Sequence, residues 1–84
     1  MKLDKENFNN LSLNKKGEIL FSKGSYIAVR NYYNYKVQLY SLNGFYIEVW
    51  YHPKLNSIDK IETLENEKNL NLYLPDIEIL ELMN

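Results

Sequence analysis

The chain has 84 residues, 45% of them hydrophobic and 25% charged, a composition for one small globular domain rather than a disordered segment. Cysteine is absent, which excludes disulfides, a thiol nucleophile and thiolate metal sites. The net charge of −1 hides a division: residues 1–36 carry seven basic and three acidic residues, residues 37–84 three basic and eight acidic, and the acidic half argues against a broad nucleic-acid interface.

Residues 1–11 are polar around isolated Leu3, Phe8 and Leu11 and read as a loosely packed lead-in. They contain no apolar run of signal-peptide type, and no later segment reaches membrane-spanning length. The expectation is therefore a cytoplasmic protein without membrane association. From Ser12 to Lys23, Leu13, Gly17, Leu20 and Phe21 form an approximate helical stripe, with Gly24 at the C-cap position. The rival reading is a strand over Glu18–Phe21 that turns back into Tyr26. Helix is preferred, although Gly17 inside it costs about 1 kcal/mol relative to Ala.

Tyr26 to Tyr51 reads as three consecutive antiparallel strands. Asn43-Gly44 between apolar-rich runs is a strong hairpin signal, because both residues tolerate positive φ. A two-residue loop would set Leu39 opposite Glu48 and Gln38 opposite Val49, mixing polar and apolar residues on both faces. A three-residue loop, Leu42-Asn43-Gly44, sets Leu39 opposite Ile47 and Val37 opposite Val49. The alternation selects the second register. Likewise a Tyr32-Tyr33-Asn34 loop, with Asn34 at positive φ, sets Val29 opposite Val37 and Ile27 opposite Leu39. One face then carries Ile27, Val29, Tyr35, Val37, Leu39, Phe45, Ile47, Val49 and Tyr51 as the core. The other carries Tyr26, Ala28, Arg30, Lys36, Gln38, Tyr40, Tyr46, Glu48 and Trp50.

His52 to Ser57 is a loop with Pro53 set for a turn. Ser57 to Leu64 is expected to form a short edge strand beside Phe45–Tyr51, with Val49 facing Ile61. Glu65 to Lys68 is a polar turn. Leu70, Tyr73, Leu74 and Ile77 repeat at helical spacing until Pro75 interrupts. The apolar tail through Met83 either packs on the domain or reaches a partner. The fold class is α+β: an N-terminal helix, an antiparallel meander of three to four strands, and one or two short C-terminal helices packed on one sheet face.

No nucleophile elbow, phosphate loop or metal-ligand spacing is present. The leading functional expectation is a non-enzymatic module that binds a protein partner, with no cofactor and no metal. Its candidate site is the second face: Arg30, Lys36, Tyr40, Tyr46, Glu48 and Trp50, the side-chain types that dominate interface hot spots. Aromatic sheet faces also stack on single-stranded nucleic acid, but only Arg30 and Lys36 are basic here and Glu48 opposes them. A second reading is an acidic inhibitor or immunity-type protein for a basic enzyme, acting through Glu62, Glu65, Glu67, Asp76, Glu78 and Glu81. A third is a small enzyme using His52 and Glu48 as an acid–base pair. A homodimer through the Ser57–Leu64 edge or the apolar tail is also expected to compete.

Overall fold

The fold is described from a computed structural model, over residues 3–73. Two helices, α1 (Lys5–Asn9) and α2 (Leu13–Lys23), precede four strands, β1 (Ser25–Tyr32), β2 (Tyr35–Leu42), β3 (Phe45–His52) and β4 (Ser57–Thr63). A 3₁₀ helix, Glu67–Tyr73, follows. The strands form one antiparallel meander in the order β1-β2-β3-β4. This is the expected α+β arrangement, including the edge strand β4 and the pairing of Val49 with Ile61. The expected helix around Pro75 and the apolar tail lie outside the described residues.

Each helix begins where a short polar side chain can take an orphan amide. Asp4 accepts from the Asn7 N–H at 2.8 Å, and Ser12 accepts from the Lys15 N–H at 3.2 Å. Residues 3–11 are thus not a loose lead-in, because α1 buries Phe8 completely, edge-on to Phe45 at 6.1 Å. That burial contributes about 1.5–3 kcal/mol. Strand-like continuation at 18–21 loses to helix, since Leu20 reaches the core only from the helical stripe. Gly24 ends α2 by close approach: its N–H donates to the Leu20 carbonyl at 2.7 Å, and a Cβ there would lie 2.6 Å from the same oxygen.

Both central registers differ from the alternation argument. Asn43 (φ 50°) and Gly44 (φ 86°) form a two-residue turn, so Leu42 opposes Phe45, Tyr40 opposes Ile47, Leu39 opposes Glu48 and Val37 opposes Trp50. Two consecutive positive φ values give the turn whose twist matches the flanking strands. The β1–β2 turn is also two residues, with Tyr33 rather than Asn34 at positive φ (51°) and Tyr32 opposing Tyr35. Val29 consequently opposes Gln38, and Ala28 opposes Leu39 after a bulge at Ile27.

The physical reason is that both faces of the sheet bury side chains. On one side, called the α face, α1 and α2 cover Leu42, Phe45, Ile47, Val49 and Ile61 with Phe8 and Leu20. On the other, the 3₁₀ face, Tyr73 packs with Ala28, Leu39 and Leu64. The core is therefore divided between two layers instead of gathered on one sheet face. β3 accordingly buries three residues in a row, Ile47, Glu48 and Val49. A mixed composition on each face is no penalty once both are covered and the buried polar group is paired.

Candidate functional site

The register brings Arg30, Tyr46, Glu48 and Trp50 onto the 3₁₀ face and sends Lys36 and Tyr40 to the α face. Of the six candidate residues, four are thus assembled and two are not. Tyr40 sits edge-on to Phe21 at 5.8 Å and to Tyr26 at 5.6 Å. Burial, and then the neighbouring Tyr26, raise its hydroxyl pKa. Lys36 donates to the Asn31 side chain at 2.6 Å in an exposed pair. Tyr46 is half-buried against the Leu39–Leu64 layer.

At the centre of the 3₁₀ face, Glu48 is 6% exposed and one of its carboxylate oxygens takes two donors. The Tyr73 hydroxyl donates to Oε2 at 2.6 Å, and the Arg30 guanidinium donates to the same oxygen at 3.3 Å. The guanidinium carbon lies 5.6 Å from the Tyr32 ring, 5.4 Å from Trp50 and 5.5 Å from Tyr73, which makes a cage of three aromatics. Burial first, and the bond to Glu48 second, raise the Tyr73 pKa strongly. Arg30 and Glu48 are thus held inside the fold, where they fasten the 3₁₀ helix to the sheet. Arg30 Nε and Trp50 Nε1 are buried with no acceptor among the described residues, each at a cost of about 1–3 kcal/mol.

Beyond the 3₁₀ helix the same face carries a run of rings. Tyr33 contacts Tyr32 at 4.8 Å, Tyr32 contacts Trp50 at 5.4 Å, and Trp50 contacts Tyr35 at 5.5 Å. Tyr35 then meets His52 at 5.5 Å. Every step is edge-to-face, the preferred geometry of aromatic quadrupoles. Lys60 lies over the Trp50 ring at 4.4 Å and pairs with Glu62 at 3.6 Å. Tyr35 donates to the Asp59 carboxylate, and that bond, ahead of burial and of the carboxylate's charge, raises the Tyr35 pKa.

At the outer end of the run, Tyr33 is 90% exposed while held at positive φ, where a bulky side chain is strained by about 1–2 kcal/mol. Tyr32, Tyr33, Tyr35, Lys60 and Tyr73 are not among the sequence candidates. Tyr32-Tyr33-Asn34 reads in the sequence as a loop, and Tyr73 as part of an apolar helical stripe.

His52 and Glu48 share this face without meeting as an acid–base pair. His52 Nδ1 accepts from the Leu55 backbone N–H at 3.3 Å, and Glu48 is occupied by Tyr73 and Arg30. Of the acidic residues, Glu62 pairs with Lys60 and Glu65 accepts from the Thr63 hydroxyl at 3.0 Å. Asp76, Glu78 and Glu81 lie outside the described residues. Among the described residues no three His, Asp or Glu side chains converge to hold a metal. No helix of the described chain is long and apolar enough to cross a membrane.

A cleft of about 460 Å³ opens beside β4, lined by Asn9, Lys16, Glu62, Thr63 and Glu65 among others. Its side chains are engaged with the edge of the sheet. Lys16 donates to the Ile61 carbonyl at 2.9 Å and Asn9 accepts from the Thr63 N–H at 3.3 Å.

The fold and this face define a small antiparallel meander covered on both sides, with an aromatic run at one corner. No protein-family model, no curated protein and no solved structure matches the chain.

Proposed function

We propose that this chain is a non-enzymatic interaction module that binds a protein partner through the aromatic corner of the 3₁₀ face, led by Tyr33, Tyr32 and Trp50. The observation that carries the reading is Tyr33: a large ring at 90% exposure on a positive-φ backbone. Asn or Gly would hold the same turn with less strain, and local strain without a local benefit is what a binding residue leaves in a free structure. Tyr and Trp add large rigid contact area at low entropic cost. The cations beside the rings on this face each lie against a carboxylate, Arg30 against Glu48 and Lys60 against Glu62, an arrangement that opposes phosphates. That favours a protein surface over a nucleic acid.

The test is a capture from lysate with the wild type, a Tyr32→Ala/Tyr33→Ala variant and a Lys36→Ala control, followed by titration of the recovered protein in pure form. Trp50, the sole tryptophan, lies within the run and reports binding by its fluorescence. The expected result is saturable binding to wild type and control that the double variant loses while its thermal melt is retained. Equal binding by all three forms, or no saturable partner, overturns the reading.

A further inference from the structure

The Asn43-Gly44 turn lies at the end of the sheet opposite Tyr33, and the aromatic corner makes no use of it. Asn43 is the one asparagine of the chain that is followed by glycine. Both residues are exposed. The Gly44 N–H donates to no group among the described residues. A Cβ on Gly44 would have no neighbour within 4 Å, so open space surrounds its backbone nitrogen. The Asn43 side-chain nitrogen has one partner, the Leu3 carbonyl, to which it donates at 3.2 Å. Leu3 in turn packs on the α-face cluster just ahead of α1.

We propose that Asn43-Gly44 is a self-modifying site, where the Gly44 nitrogen closes on the Asn43 side-chain amide and thereby unfastens Leu3 from the hairpin. Ring closure onto an asparagine amide is hindered by the next residue's side chain, and glycine has none. The Gly44 nitrogen bonds to Asn43 Cγ and gives up its proton; the Cγ–Nδ2 bond breaks, and the amide leaves with that proton as ammonia. Water then opens the cyclic imide. Opening at Cγ leaves an aspartate, and opening at the main-chain carbonyl leaves an isoaspartate. Water is the only co-reactant, and nothing is oxidised or reduced. An aspartate at position 43 is ionised at neutral pH and can only accept, so the Leu3 carbonyl loses its donor. An isoaspartate adds an atom to the main chain of a turn fitted by φ values of 50° and 86°. Asn56 provides an internal comparison. It has the same φ of 50°, but Ser57 carries a Cβ and the Tyr51 hydroxyl holds Asn56 Oδ1 at 2.7 Å. The site does not depend on the aromatic corner.

The experiment is a time course of the folded full chain at neutral and mildly alkaline pH. Peptide mapping by mass spectrometry follows each asparagine and separates aspartate from isoaspartate. Wild type is compared with Gly44→Asn, which tolerates positive φ while placing a Cβ beside the attacking nitrogen. Asn43 should convert about tenfold or more ahead of Asn56, a barrier difference of about 1.4 kcal/mol. The lead should grow with pH and vanish in Gly44→Asn. Asn43→Asp reproduces one product. In it, exchange of the Phe8 N–H, which donates to the Asp4 carbonyl at 2.9 Å within α1, should quicken roughly 2- to 10-fold, the factor for one lost hydrogen bond. The ratio of Asn43 to Asn56 within the wild type decides even where Gly44→Asn does not fold. Conversion of Asn43 no faster than Asn56, or a folded Gly44→Asn that converts at the wild-type rate, overturns the site. Unchanged Phe8 exchange in Asn43→Asp overturns its consequence for α1.

Discussion

Replacing Tyr73 by Phe removes one oxygen from the centre of the 3₁₀ face and leaves the ring that covers Arg30. The lost bond is 2.6 Å long, is fully buried and ends on a carboxylate that is 6% exposed. Hydrogen bonds to charged groups contribute about 1.5–3 kcal/mol. The remaining donor to that oxygen, Arg30, is at 3.3 Å and cannot replace it. A loss of about 2 kcal/mol is therefore expected. For a domain of this size it lowers Tm by roughly 8–16 °C, at about 4–8 °C per kcal/mol. Circular dichroism melts and urea titrations at neutral pH measure it, with the m-value unchanged.

The pH dependence supplies an independent check. Tyr73 has its pKa raised in the folded state, by burial first and the Glu48 bond second. A raised value means the folded protein prefers the neutral phenol, so its contribution is complete below the unfolded value of about 10 and is lost as pH rises above it. The wild type should thus lose stability above about pH 10 more steeply than Tyr73→Phe. A double-mutant cycle with Glu48→Gln isolates the coupling. A variant within about 0.5 kcal/mol of the wild type, with the same alkaline slope, refutes the reasoning, because typical surface substitutions have effects of that size. The 3₁₀ helix would then be held by apolar packing alone, the Tyr73 ring and Leu70 against Ala28, Leu39 and Leu64.

The two helix glycines should respond in opposite directions. A Cβ on Gly17 would meet the Phe21 ring at 3.6 Å, an ordinary contact, so Gly17→Ala should stabilise by about 1 kcal/mol through helix propensity; a fall in Tm would show that the groove beside Phe21 cannot take a methyl group. A Cβ on Gly24 would meet the Leu20 carbonyl at 2.6 Å, so Gly24→Ala should destabilise by about 1–3 kcal/mol through overpacking, and denaturant titration decides. Tyr33→Gly should relieve about 1 kcal/mol of backbone strain, raising the melting temperature while weakening the proposed partner; a variant that is both less stable and fully competent to bind contradicts the role given to Tyr33.

Much of the architecture is legible in the chain. Ser12 and Gly24 bound α2, Asn43-Gly44 marks the second hairpin, and Val49 with Ile61 places β4 beside β3. These are local signals, caps and turns whose dihedral needs are met by few residue types. The register is the instructive exception. Asn43-Gly44 favours a two-residue turn, whereas alternation between one dry and one wet face favours a third loop residue. Glu48 opposite Leu39 looks like an error on a wet-and-dry sheet and is satisfactory on a sheet covered twice.

The chain by itself determined the α+β class, the order of α2 and the four strands, and the absence of thiol chemistry. It also placed Arg30, Glu48 and Trp50 together on one face of the sheet. Tertiary structure alone decided that Arg30 and Glu48 turn inward to Tyr73, that Tyr40 and Lys36 fall on the opposite face, and that Tyr32, Tyr33 and Tyr35 line the run of rings. The reason is the two-residue period of a strand. One added loop residue exchanges every side chain between faces, so the face a residue occupies depends on what covers the sheet, and the elements that cover it are distant in sequence.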